Sequence, residues 1–258
     1  MMLLPLCAQE VIRVKGSDTL GAKLAPQHCE AFKTGYRGVK FEIAAEGSTT
    51  AFKTLLDGTA DIGMSSREIK PEEVKLFESQ QIQLHKHLVA YDCHMIVVNA
   101  NNPVNNLTAK QIEGLFTGDI TNWKDVGGND APVALRTRNT SSGSYKDFMR
   151  VAMNGRSYAA GSVKLGGGES PVQEVAKDVN AITYCGIAYA KANGIKTISI
   201  NGISPPTDRA NDYPYIRPCF YFIRSDASLA AKAFVEWATQ SAEAKTIVRK
   251  VGFLPASK

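Results

Sequence analysis

The chain has 258 residues, 44% hydrophobic and 21% charged, a balance that supports a sizeable core and counts against disorder. Its length suits one large domain or two lobes of roughly 100–150 residues each. The net charge of +5 attracts anions of any size, but Lys and Arg are scattered without interleaved aromatics, which counts against nucleic acid; no apolar run approaches the roughly 20 residues of a membrane span.

Residues 1–9 are short and apolar and turn polar at Glu10, which reads as the remnant of a signal peptide without its basic start. Cleavage after Ala8 is one reading. Lipid attachment at Cys7 is the other, against which Leu6 is bulky for such a site. Both place the protein in the periplasm or another extracytoplasmic space. Residues 11–14 predict a strand that ends in Lys15-Gly16-Ser17-Asp18-Thr19. One helix is expected next, with Leu20, Leu24, Cys29 and Phe32 as apolar positions and Pro26 as a kink. A second strand, 41–44, runs into Glu46-Gly47-Ser48-Thr49-Thr50 and a helix with Ala51, Leu55 and Leu56 on one stripe. A third, 61–64, ends in Ser65-Ser66-Arg67.

Residues 87–99 then form one long strand-like run, broken by Asn101-Asn102-Pro103. A middle section carries its own units, a strand over 135–138 and a helix over 142–152. A second strand-like run returns at 215–224, and a final helix spans 227–251. Strands alternating with helices imply α/β architecture with mostly parallel sheets flanked by helices. The expected division is lobe 1 over 10–98, lobe 2 over 99–212, and a return of lobe 1 over 213–258.

Three segments share one design, a strand, a small polar loop and a helix start. They are Gly16-Ser17-Asp18-Thr19, Gly47-Ser48-Thr49-Thr50 and Arg138-Asn139-Thr140-Ser141-Ser142-Gly143-Ser144. The first turn of a helix has N–H groups without intrahelical partners and a partial positive charge, which suits a small tetrahedral oxyanion. Ser and Thr hydroxyls add short donors, glycine lets the main chain approach closely, and Arg138 supplies a planar fork. Each loop alone reads equally well as a plain N-cap; the repetition is what points to an anion. Ser66 is a fourth polar strand end. Arg67 has two readings, facing the anion or pairing with a carboxylate such as Glu68 or Glu72.

In their order and spacing these pieces resemble the phosphate-specific transport substrate-binding proteins of bacteria, a branch of the two-lobed type II periplasmic binding fold. The resemblance runs from about residue 12 to 255. Beside the loops it rests on Asp57-Gly58-Thr59-Ala60-Asp61-Ile62-Gly63-Met64, on Asn105-Asn106-Leu107-Thr108 through Phe116-Thr117-Gly118 and Thr121-Asn122-Trp123, and on Gly186-Ile187-Ala188-Tyr189. Tyr213-Pro214 and Arg217-Pro218 complete it as the return hinge. Position by position, the resemblance implies that Thr19, the backbone of Leu20, Ser48 and Ser66 hold the anion from one lobe. Arg138, Ser142, Gly143 and Ser144 hold it from the other, with Ser17, Asp18, Thr49 and Arg67 as secondary candidates. Ser144 stands where the family has Thr and keeps the hydroxyl. Ser66 stands where some members carry an Asp that accepts a proton from phosphate, so the filter against sulfate is weakened.

The resemblance further implies hinge closure on inorganic phosphate, delivery to ABC transporter membrane permease subunits, a monomer, no cofactor and no catalysis. Sulfate or molybdate on the same fold is the alternative. A phosphate-ester hydrolase or a regulator's sensing domain is a more distant one. The histidines are His28, His85, His87 and His94, and no acidic cluster completes a metal set with them. Gly166-Gly167-Gly168 lacks a following Gly-Lys-Ser/Thr, so it is a turn and not a P-loop. Cys7, Cys29, Cys93, Cys185 and Cys219 form no CxxC pair. Buried free thiols are the first reading of the last four, and one or two disulfides remain open.

Overall fold

A computed structural model of the chain describes residues 9–140, 142–207 and 212–256; Cys7 lies outside the described residues. The chain divides into two compact units. One runs to Ala90 and resumes over Pro218–Val251 and at Pro255; the other holds Tyr91–Arg217 and Gly252–Leu254. The changeovers at 90/91 and 217/218 fall inside strands. A chain that stays extended and buried across a boundary gives hydropathy nothing to mark it.

The elements in order are β1 (Glu10–Gly16), α1 (Asp18–Gly21), α2 (Leu24–Gly35), β2 (Val39–Ala45), α3 (Ser48–Leu56), β3 (Ile62–Ser65), α4 (Pro71–Ser79) and β4 (Leu84–Cys93). The middle section adds β5 (Met95–Asn99), β6 (Asn106–Leu107), α5 (Ala109–Thr117), β7 (Ala134–Arg138), α6 (Gly143–Ala152), β8 (Val163–Leu165) and α7 (Ser170–Lys177). It ends with β9 (Ala181–Cys185), β10 (Ile195–Thr197) and β11 (Ser199–Ile200). The return contributes β12 (Ile216–Arg224), α8 (Leu229–Gln240), α9 (Ala242–Lys250) and β13 (Leu254–Pro255).

Two larger sheets result, with strand orders β13-β4-β12-β3-β1-β2 and β10-β5-β9-β7-β8. Both are mixed. In the first, β1 pairs in parallel with β2 and β3, while β12 runs antiparallel to β3. In the second, β7 pairs in parallel with β8 and β9, while β5 runs antiparallel to β9.

Three expected elements are each divided. The helix after β1 splits into α1 and α2, and Pro26 falls in the first turn of α2, where its missing N–H breaks no intrahelical bond. The final helix breaks at Ser241, which ends α8 and caps α9 by accepting from Ala244 N–H at 3.0 Å. The long run breaks at His94, whose N–H donates to Tyr215 O at 3.0 Å. Among the described residues no helix is long and apolar enough to cross a membrane.

The first unit buries Ile12, Val14, Leu55, Ile62, Met64 and Phe234, and the second buries Ile96, Phe116, Trp123, Phe148 and Tyr184. Each such side chain contributes about 1.5–3 kcal/mol of transfer free energy. Phe148 stacks on Tyr184 with centroids 4.0 Å apart, which anchors α6 against the sheet.

His28 on α2 is fully buried, with Nε2 3.2 Å from Ala244 O and its ring edge-on to Trp237. Burial pushes this imidazole from its ordinary 6.5 down to about 4, against a smaller upward pull from the Ala244 carbonyl. Between those two values the unfolded chain holds a proton that the folded chain refuses. Stability is therefore intact above 6.5 and falls as pH drops towards 4, by about 3 kcal/mol from this group. Urea melts at pH 7 and pH 4 should show that loss for the wild type, and a correspondingly smaller one for His28→Gln. Equal losses in both proteins would remove His28 as the source.

Candidate functional site

In the first unit the parallel strands β1, β2 and β3 end at one edge of the sheet, with Gly16 opposite both Ala45 and Met64. The loops that follow are braced against each other there. Gly16 O accepts from Glu46 N–H and Gly47 N–H at 2.8 Å, and Ser17 N–H donates to Met64 O at 2.9 Å. Gly16 is obligatory: its φ is +133°, and a Cβ would lie 2.2 Å from Met64 O.

Ser48 is the first helical residue of α3, behind Gly47, which provides no side-chain cap. Its Oγ accepts from Ser66 N–H at 3.1 Å and lies 3.3 Å from Ser66 Oγ. Ser48 and Ser66, separate in sequence, are thus neighbours at the strand ends, both nearly buried. Ser17 is buried, Asp18 and Thr19 are partly exposed, and Leu20 buries its side chain completely, so only its main chain could reach a ligand. Thr49 is exposed.

Arg67 is engaged elsewhere. Its Nη1 and Nη2 donate to the Glu73 carboxylate at 2.8 and 2.7 Å, its Nη2 to Thr49 Oγ1 at 3.4 Å, and the guanidinium lies over the Phe52 ring. Of the two readings of this residue, the structure shows the ion pair, made with Glu73 and not with Glu68 or Glu72. Both terminal guanidinium nitrogens donate to that carboxylate.

In the second unit β7 ends at Arg138, in parallel with β8 and β9. Asn139 N–H donates to Leu165 O at 3.0 Å and turns the loop towards α6. Ser142 caps α6, its Oγ accepting from Tyr145 N–H at 3.4 Å, which leaves its O–H to donate. Gly143 and Ser144 open the helix. A Cβ at Gly143 would meet nothing within 4 Å, so this glycine relieves no clash and leaves bare main chain. Arg138 Nε is buried and has no hydrogen-bond partner among the described residues. Its charge is felt by the phenols of Tyr184 and Tyr189, which burial pushes up, that of Tyr184 to about 12, and which Arg138 pulls back down. A desolvated guanidinium nitrogen without an acceptor has hydrogen-bonding capacity that the described residues leave unused.

Beneath α6 lies a buried charge cluster that the sequence reading did not assemble. Arg217 Nη2 and Nε donate to Asp92 Oδ2 at 2.6 and 3.1 Å, and Ile187 N–H donates to Asp92 Oδ1 at 3.0 Å. Arg217 Nη1 is 3.5 Å from Asp147 Oδ2, to which His94 Nε2 is bonded at 2.9 Å. Burial, then the Arg217 charge, lowers the His94 pKa against the pull of Asp147, so the ring is neutral at pH 7 and donates its Nε2–H. Burial alone would raise the Asp147 carboxyl. The His94 hydrogen bond, the Arg217 charge and the Arg150 hydrogen bond together hold it well below the usual carboxylate range. The available signal was Asp92, a carboxylate inside an otherwise apolar extended run.

Of the glycine triplet, Gly168 packs against the Tyr189 ring, which lies 2.6 Å from where a Cβ would be, while a Cβ at Gly166 or Gly167 would meet nothing within 4 Å. Cys29, Cys93, Cys185 and Cys219 are buried and form no disulfide among the described residues. Among the described residues no group of three His, Cys, Asp or Glu side chains is placed to hold a metal ion.

A profile of the PBP superfamily domain matches residues 7–243. The phosphate-binding protein PstS of Pseudomonas aeruginosa is 35% identical over 72% of this chain, and the alignment spans 61% of that relative's length. The Bacillus subtilis phosphate-binding protein PstS is 26% identical over 95% of the chain and 82% of its own. A Clostridium perfringens structure with bound phosphate superposes with a TM-score of 0.84 at 28% identity, covering 96% of this chain and 100% of that one. An ABC-type phosphate transport receptor from Vibrio cholerae gives a TM-score of 0.81 at 28% identity, over 94% and 99% of the two chains.

Proposed function

The chain belongs to the PBP superfamily, and from that membership we propose that it binds inorganic phosphate outside the cytoplasm and delivers it to the membrane permease of an ABC transporter. The observation that carries this reading is the buried Nε of Arg138, without a hydrogen-bond partner among the described residues, beside the Ser142-Gly143-Ser144 helix start. Similarity to a chain with bound phosphate supports the choice of anion. In this reading the Ser48 and Ser66 hydroxyls, Thr19 and the Leu20 main chain serve phosphate from the first unit. Arg138, Ser142, Gly143 and Ser144 serve it from the second. Closure about the crossover strands β4 and β12 commits the anion, and the protein acts as a monomer without catalysis.

A charge-assisted hydrogen bond contributes about 1.5–3 kcal/mol net. Several of these, less desolvation and ordering, leave about −8 kcal/mol, a dissociation constant of about 1 μM. Calorimetric titration of the purified protein with phosphate should show one site in that range, and X-ray scattering should show a smaller radius of gyration with phosphate than without. Silence towards phosphate would sink the reading.

A second reading, sulfate or molybdate in the same place, has one observation in its favour. Ser66, whose Oγ lies 3.3 Å from Ser48 Oγ, is a hydroxyl where some members of the resembled family carry the acid that selects protonated phosphate. Competition of the three anions in the same calorimeter decides between them.

A further inference from the structure

We infer that Arg217 is a positioning residue for the anion loop: from the end of a crossover strand it holds the first two turns of α6, and so sets where the Ser142-Gly143-Ser144 donors point. The inference rests on the phosphate reading only for its affinity consequence; the positioning itself stands on geometry within the second unit.

Arg217 lies near the start of β12 and is 6% exposed. Its fork closes on Asp92 Oδ2, and Asp92, fully buried at the end of β4, also takes Ile187 N–H. This fixes the guanidinium plane from behind. On its other side Arg217 meets two residues of α6, Ser144 Oγ through Nη2 at 3.5 Å and Asp147 Oδ2 through Nη1 at 3.5 Å. Asp147 is itself clamped by His94 at 2.9 Å and by Arg150 at 2.7 Å. Ser144 and Asp147 are three apart on a helix and share a face, so the guanidinium touches that face at two successive points. A hydroxyl that neighbours a guanidinium turns its lone pairs towards it and its O–H away. Arg217 thereby presets Ser144 as a donor before any anion arrives, the condition under which a donor binds without a further ordering cost.

The paired variant Asp92→Asn/Arg217→Gln removes both charges together and leaves no lone buried ion to unfold the unit. Its cooperative melt is checked first by circular dichroism. Phosphate affinity should fall about tenfold or more, the effect of one charge-assisted donor. Amide hydrogen exchange of residues 144–147 in anion-free protein should speed up about tenfold, while α7 in the same unit is unchanged. Unchanged exchange overturns the inference, whether or not affinity falls, because a purely electrostatic Arg217 would weaken binding without loosening the helix start. Faster exchange in the variant, with no phosphate binding even by the wild type, upholds the positioning and rejects the phosphate reading. If the pair fails to fold, Arg217→Lys, which keeps the charge and loses the fork, is tested by the same two readouts.

Discussion

Arg138→Ala is expected to abolish measurable phosphate binding while leaving the melting temperature within a few degrees of wild type. The two halves of that expectation have one origin. In the anion-free protein Arg138 Nε is buried without a hydrogen-bond partner among the described residues, so its removal deletes a desolvated donor and no hydrogen bond from that nitrogen. In the proposed complex the same guanidinium would supply two parallel donors to adjacent phosphate oxygens, and truncation would then cost about 3–5 kcal/mol, two charge-assisted bonds or a factor of several hundred in affinity. Arg138→Lys separates charge from geometry. A lysine keeps the charge but not the fork, so its affinity should lie between wild type and alanine. Calorimetry with a thermal melt measures both quantities. An alanine variant with unchanged affinity would remove the 138–144 loop from the site, and one that fails to fold would show that Arg138 is structural.

Asp92→Ala should show the opposite balance, a large loss of stability. Asp92 is fully buried, accepts two hydrogen bonds from Arg217 and takes a third from Ile187 N–H. Removing the carboxylate strands a guanidinium that is 7% exposed and orphans a buried N–H. Breaking one side of such a pair costs about 3–5 kcal/mol, which at the size of this chain lowers the melting temperature by about 10 °C. Replacing both partners with apolar side chains, Asp92→Leu/Arg217→Met, should recover most of the loss, because the pair's own net contribution is small once its desolvation is counted. Chemical denaturation of Asp92→Leu, Arg217→Met and the double variant completes the cycle. An Asp92→Ala protein within 1 kcal/mol of wild type would mean that solvent reaches Arg217 readily and that the cluster is not a buried one.

The places of these two residues in the fold show what the chain reveals locally and what it does not. Arg138 was legible because its signal is local: a strand, a polar loop with Ser-Gly-Ser, and a helix start lie within fifteen residues, and each piece has a chemical meaning without its neighbours in space. The same holds for Gly16, Ser48 and Ser142, whose places in β1, α3 and the α6 cap follow from strand and helix signals in the chain. Asp92 and Arg217 are 125 residues apart, and His94 and Asp147 are 53 apart. No periodicity links them.

What the chain alone determined is therefore the alternation of strands and helices and the chemistry of its loops, because hydropathy period, glycine freedom and capping act over a few residues. Tertiary structure decided the rest. It diverted Arg67 to Glu73, brought Ser48 Oγ to Ser66 N–H, and divided three continuous-looking elements at His94, Ser241 and the α1–α2 junction. It also chose Arg217 as the partner of Asp92. A buried charge takes its partner from whatever the strand crossings bring alongside it, and strand order, unlike side-chain period, is a property of the whole fold.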